Sequence, residues 1–187
     1  QIAGAEVVAG TNQTVRFGGS ATVAVAAGSS VWSDPVALPF VVDPVAMAGR
    51  QLAVSFHVVG ESGPMTWHAK AMHTSYLSRP NAGSVGGAPG EAGFPFSTTS
   101  WFFLNAVDMW MPAGSYAVVA FGDSITDGSA TTLNGDDRWP DVLARRLHAG
   151  APNSVSVVNA GIGGNQVLGP ATYSATCLLY TSDAADE

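Results

Sequence analysis

From Gln1 to about Met111, apolar positions come in short runs separated by Gly, Pro and Asn. "ATVAVAAG" alternates Val23 and Val25 with small residues, and "QLAVSFHVVG" places Leu52, Val54, Phe56 and Val58 at period two. Period two is the mark of a strand with one buried face. "TSWFFLNAVDMW" (Thr99 to Trp110) is aromatic and β-branched enough for a further strand. "RPNAGSVGGAPGEAGFP" (Arg79 to Pro95) is too rich in Gly and Pro for regular structure and is expected to be a loop. Short strands with no helical repeat among them predict an antiparallel β-sandwich-like domain over residues 1–114.

Past "MPAGSY" the period changes. "AVVAF" is a continuous apolar run, the pattern of a strand buried on both faces of a parallel sheet. In "RWPDVLARRLHAG", Trp139, Val142, Leu143 and Leu147 form a helical stripe, with Pro140 in the first turn and Gly150 at the end. "SVSVVNAG" is the next strand. Strand, helix, strand is a βαβ unit, the opening of an α/β domain with a parallel sheet.

Composition narrows the class. Of 187 residues, 47% are hydrophobic and 11% charged, which predicts a folded core. The net charge of −7 lacks the electrostatic footprint of a nucleic-acid binder. No apolar run approaches the roughly 20 residues of a membrane span. The end "CLLYTSDAADE" (Cys177 to Glu187) reads as translated adapter from sequencing-library preparation, so the expected organisation is 1–114, a truncated hydrolytic unit over 115–176, and an unrelated tail over 177–187. Without the tail's Asp183, Asp186 and Glu187 the charge is −4.

The chemistry centres on "VVAFGDSITDG". Ligands of open α/β sheets bind at the carboxyl ends of strands. Ser124 follows the first strand of the βαβ unit, and Gly161 to Gly164 follow the second, on the same rim if the strands are neighbours. A serine hydroxyl needs a base to become a nucleophile, and a developing oxyanion needs aimed donors, which glycine loops supply without Cβ interference. "GDSIT" lacks the second glycine of the G-x-S-x-G elbow, and "GIGGN" carries Gln166 where a dinucleotide-binding loop has its third glycine. By itself "GDS" also fits a plain strand-to-helix turn in which Asp123 and Ser124 bond their own backbone.

The succession "VVAFGDSITDG", "RWPDVLARRL", "VVNAGIGGN" resembles the GDSL or SGNH hydrolase family from Ala117 to about Leu168. The resemblance implies a flavodoxin-like three-layer α/β fold, with Ser124 as nucleophile and first oxyanion donor. The second donor would be the N–H of Gly164, with Gly163 the other choice. Ile125 stands where the family name has leucine. "TNQTVRFGG", "SDPVALP" and "GPMTWHAKAMHTSY" resemble the amino-terminal β domain that precedes some members. The family's G-x-N-D and D-x-x-H blocks, which supply an oxyanion asparagine, the acid and the general base, do not occur in this sequence. The implied parent is therefore a serine esterase acting on acetyl or short-acyl esters of small molecules or carbohydrates, exported or periplasmic, and this chain a nearly inactive piece of it. No cofactor is implied, and no His, Cys or Asp cluster has metal-ligand spacing.

The remaining polar candidates read as structural. His57 lies on the minor face of a strand, His68 and His73 flank "AKAM" as loop contacts or equally as structural hydrogen-bond formers, and His148 ends a helix where a cation suits the dipole. Asp136 and Asp137 are expected to cap the following helix, and Asp127 to hydrogen-bond within the serine loop. Trp67, Trp101 and Trp110 suit a sandwich core better than a sugar platform. The alternative function is a carbohydrate- or surface-binding β module without catalysis.

Overall fold

A computed structural model of the chain describes residues 4–40, 49–151 and 154–165. The tail over 177–187 and the end of the expected hydrolytic unit, from Gln166 onward, lie outside the described residues. In chain order the elements are β1 (Trp67–His68), β2 (Ser75–Leu77), a 3-10 turn (Glu91–Gly93), β3 (Phe96–Thr98), β4 (Trp101–Phe102), β5 (Tyr116–Gly122), α1 (Ser124–Asp127), α2 (Trp139–Gly150) and β6 (Val155–Gly161). They fall into two compact units: Gln1–Met65 with Ser75–Thr98, and Thr66–Thr74 with Thr99–Glu187. The segments 66–74 and 99–114 thus group with the βαβ unit.

In the first unit β2 and β3 pair antiparallel, Tyr76 opposite Ser97, and the Gly- and Pro-rich stretch between them is a loop, as its composition predicts, apart from the 3-10 turn at Glu91–Gly93. The Arg79 guanidinium lies 5.6 Å from the centre of the Phe96 ring. Phe17 and Ser20 form an isolated bridge around Gly18 and Gly19, both at positive φ, where glycine carries no Cβ penalty. The Asp34 carboxylate closes that turn by accepting from the Gly18 and Gly19 amides at 2.8 and 2.7 Å.

The strands expected at 21–28 and 51–60 do not form ladders. Val23 and Val25 are exposed, as are Leu52, Val54, Phe56 and Val58. Alternation becomes a strand only when a neighbour supplies backbone partners and a second surface covers one face. Among the described residues neither segment is part of a strand ladder and their apolar side chains stay exposed, so the sandwich expected over 1–114 is represented there by short two-stranded ladders.

The second unit follows the pattern in "AVVAF", "RWPDVLARRLHAG" and "SVSVVNAG". β5 and β6 are parallel neighbours in register from Tyr116 opposite Val155 to Gly122 opposite Gly161. Helix α2 joins them. Asp141 accepts from the Arg138 N–H at 3.0 Å and closes the helix start, and Pro140 occupies an early position where its missing N–H costs nothing. Leu143, Ala144 and Leu147 form its half-buried side, whereas Trp139 and Val142 are exposed. His148 at the helix end donates through Nε2 to the carbonyl of Val155 at 2.7 Å, tying the helix to the first residue of β6. The best-buried residues of the described structure, Ala71, Ala120 and Val155 with Ser100, Thr126, Asp127 and Arg138, all belong to this unit.

Candidate active site

The end of β5 makes the serine turn. Asp123 leaves the strand with extended backbone, and its Oδ1 accepts from the Ile125 N–H at 2.9 Å. That bond starts the one-turn helix α1 with Ser124 as its first residue. Gly128, left-handed at φ 114°, stops it, and the Ser124 carbonyl accepts from the Gly128 and Ser129 amides at 3.0 and 2.8 Å. The backbone of Ser124 is thereby fixed while its side chain stays half-buried. Among the described residues no side chain hydrogen-bonds the Ser124 hydroxyl.

The glycine loop after β6 arrives beside it. The Ile162 N–H donates to the Gly122 carbonyl at 3.0 Å and carries the parallel pairing one residue past the ladder. A Cβ placed on Gly161 would lie 2.2 Å from the Asp127 amide nitrogen, so only glycine permits this approach of strand end to serine turn. A Cβ on Gly163 would lie 4.0 Å from Ser124 Cβ and 3.6 Å from Asp127 Oδ2. Gly164 follows in the left-handed region at φ 83°, with open space where a side chain would be. The structure therefore brings the two loops named from the sequence onto one rim, with Gly163 against Ser124 and Gly164 next to it.

Four side chains hold the serine turn from outside. Asn159 donates to the Thr126 carbonyl at 2.7 Å and accepts from the Gly161 amide at 2.9 Å, so one amide ties α1 to β6. The Trp139 indole N–H reaches the Thr126 hydroxyl at 3.3 Å. The buried Arg138 donates from Nε to the Asp127 carbonyl at 2.8 Å, and its guanidinium also donates to the Ala71 carbonyl. His68 Nε2 lies 2.7 Å from Asp127 Oδ1. An ionised carboxylate only accepts, so Nε2 carries the proton of that bond.

The other sequence candidates separate from the site or change role. His57 is exposed in the first unit. His73 pairs with Asp136 at 2.8 Å, and its ring centre lies 6.3 Å from that of Trp101. Asp136 and Asp137 do not cap α2, because Asp141 takes that place. The Asp137 carboxylate instead binds Thr132, whose side chain first and backbone N–H second hold it below the usual carboxylate range. Trp67, Trp101 and Trp110 are exposed by 59, 42 and 90%, so the core expected for them is not formed. Among the described residues no second sheet covers them.

Sequence reasoning missed Arg138, Asn159 and the reach of residues 66–74 to the serine turn. Arg138 looks like a solvated cation before a helix, and only its burial shows otherwise. Asn159 sits inside an apolar strand, an unusual place for an amide, and that was the available signal.

Residues 120–181 match the model of the GDSL-like lipase/acylhydrolase family. The match covers about a third of the chain, and over that stretch the chain is similar to this family. The matched GDSL-like segment contains the serine turn, α2, β6 and the glycine loop, and runs past Thr176 to residue 181. It supports an α/β hydrolase fold for this region and a lipase- or esterase-type activity at the level of the family. No curated protein matches the chain. Among the described residues no helix is long and apolar enough to cross a membrane, and no group of three or more His, Cys, Asp or Glu side chains is placed to hold a metal ion.

Proposed function

We propose that the chain is part of a serine ester hydrolase that cleaves acetyl or short-acyl esters of small molecules or carbohydrates through an acyl-enzyme on Ser124. The observation that carries this reading is the position of Gly163 against Ser124 at the carboxyl ends of two parallel neighbouring strands. Ser124 Oγ attacks the ester carbonyl carbon, and the negative charge passes to the carbonyl oxygen. Backbone N–H groups of Ser124 and Gly164 are the donors for that oxyanion, which preorganised amides stabilise without reorganising. Collapse expels the alcohol with the proton taken from Ser124, and water then releases the acid and restores the hydroxyl.

The base belongs to the D-x-x-H block that this sequence does not contain, so the reading concerns a longer reading frame, exported or periplasmic. The 187-residue chain itself turns over slowly, because removing the base of a serine triad costs on the order of 10⁶ in kcat. The test is hydrolysis of p-nitrophenyl acetate by the complete reading frame, with Ser124→Ala alongside. Loss of turnover in the variant supports the reading, and turnover unchanged by it refutes it.

A binding role for the first unit is favoured by one feature, a hollow whose lining includes Tyr76, Phe94 and Phe96 together with Glu91 and Ser97. Aromatic faces beside a carboxylate suit a sugar ring. Retardation of the chain in a native gel containing soluble polysaccharide, lost in Tyr76→Ala, is the expected result; unchanged mobility contradicts it.

A further inference from the structure

We propose that His68 is a positioning residue of the esterase site: it holds the Asp127 carboxylate in place beside the nucleophile and thereby fixes the geometry of the serine turn and the oxyanion loop. The inference rests on the serine-hydrolase reading above. Asp127 lies one helical turn after Ser124, and its side chain is 9% exposed. A carboxylate so buried is costly unless it is paired. Its Oδ1 accepts from His68 Nε2 at 2.7 Å, while Oδ2 faces Gly163. His68 is the one basic side chain paired with this carboxylate among the described residues, since Arg138 binds the main-chain carbonyl of Asp127 instead.

The segment that presents His68 is fastened on both sides. β1 pairs with β4, His68 opposite Trp101. The Ser100 hydroxyl donates to the Ala69 carbonyl at 2.8 Å, and the Phe103 N–H to the Thr66 carbonyl at 3.0 Å. Beyond His68 the segment is tied to the loop that follows the serine turn. Arg138 donates to the Ala71 carbonyl, His73 pairs with Asp136, and the Asn134 N–H donates to the Met72 carbonyl at 2.9 Å. The Asn134 side chain both accepts from the Thr74 N–H and donates to the Thr74 hydroxyl, each at 2.8 Å. A histidine held this firmly delivers its proton to a fixed point.

The consequence is electrostatic as well as geometric. Without His68 the Asp127 carboxylate loses its basic partner, next to the loop that must hold an oxyanion. A negative charge there opposes the charge that develops in the transition state, and Oδ2 competes for the Gly163 and Gly164 amides. The effect falls on the chemical step, because His68 acts through Asp127 and not on the ester. Nor is it a core histidine, since its side chain is 45% exposed.

The test uses the complete reading frame and p-nitrophenyl acetate, with kcat and KM measured separately for His68→Ala, His68→Gln, Asp127→Asn and the His68→Ala/Asp127→Asn pair. His68→Ala is expected to lower kcat about 10- to 100-fold with KM changed less than about twofold, the range for a misplaced catalytic constellation. His68→Gln keeps a donor and should retain most of kcat. In the double variant the stranded charge is gone, and kcat should rise above that of His68→Ala. Should His68→Ala not fold, the Gln variant against Asp127→Asn carries the same comparison. The proposal is overturned if His68→Ala leaves kcat within about twofold, or if His68→Gln is as impaired as a folded His68→Ala. Ser124→Ala separates the two levels. Turnover that survives Ser124→Ala removes the serine reading, whereas turnover lost in Ser124→Ala but kept in His68→Ala removes only the role of His68.

Discussion

Gly161 and Asp127 meet backbone to backbone: a Cβ on Gly161 would sit 2.2 Å from the Asp127 nitrogen. The end of β6 therefore serves as the floor of the serine turn, and the spacing leaves no room for a side chain. Gly161→Ala must push the turn away from the strand. The expected cost is about 1–3 kcal/mol, the range for overpacking a fitted contact, read as a lower midpoint in urea or heat. Gly150→Ala is the control, because a Cβ at that helix end meets nothing within 4 Å. Its midpoint should be unchanged or slightly raised. Equal midpoints for the two variants would show that the contact is slack.

Arg138 joins two carbonyls that are distant in sequence, those of Asp127 and Ala71. The side chain is buried, so Arg138→Met strands both acceptors away from water. A stranded buried acceptor costs about 1–3 kcal/mol, and a loss of about 2–6 kcal/mol is expected for the pair. Arg138→Lys should recover only part of it, since an ammonium lacks the planar fork that serves both carbonyls. Chemical denaturation followed by tryptophan fluorescence reads this directly, and full recovery in the lysine variant would contradict the geometry.

These two predictions mark what was legible in the sequence. The βαβ unit could be read because its signals are local: an apolar run, a helical stripe with Pro140 and Gly150 at its ends, and a second run. The pairing of Ser124 with the glycine loop followed from one topological rule. The ladders of the amino-terminal half could not be placed, because period-two alternation at Leu52 to Val58 says which residues share a face and not whether a neighbour exists to pair with them. His68 could be read as a structural hydrogen-bond former, but its partner was equally illegible. The histidine lies 59 residues from Asp127 in the chain, and nothing about "TWHAKAMHT" points to a carboxylate in another segment.

Asp34 gives a prediction in pH. Its carboxylate is held below its ordinary value of 3.8, first by the Gly19 amide, then by the Gly18 amide, with Arg16 adding a smaller favourable field. A folded pKa lower than the unfolded one means a contribution to stability that is present above the unfolded value and lost as pH falls through the folded one. In a carbon-detected NMR titration the Asp34 carboxyl should titrate below its ordinary value. At neutral pH, Asp34→Asn should loosen the 17–20 turn, seen as faster amide exchange at Gly18 and Gly19. In the same variant the protection of those amides, taken relative to their intrinsic exchange rate at each pH, should no longer change as acid is added. An Asp34 midpoint at or above the ordinary value would contradict this.

The central claim is that Ser124 is the nucleophile, and active-site labelling tests it most directly. The complete reading frame is treated with a fluorophosphonate, digested, and the adduct located by mass spectrometry. The account predicts one adduct, on the peptide spanning Ser124, and its loss in Ser124→Ala while the variant remains folded. Labelling that persists in Ser124→Ala, or an adduct on another residue, would contradict it.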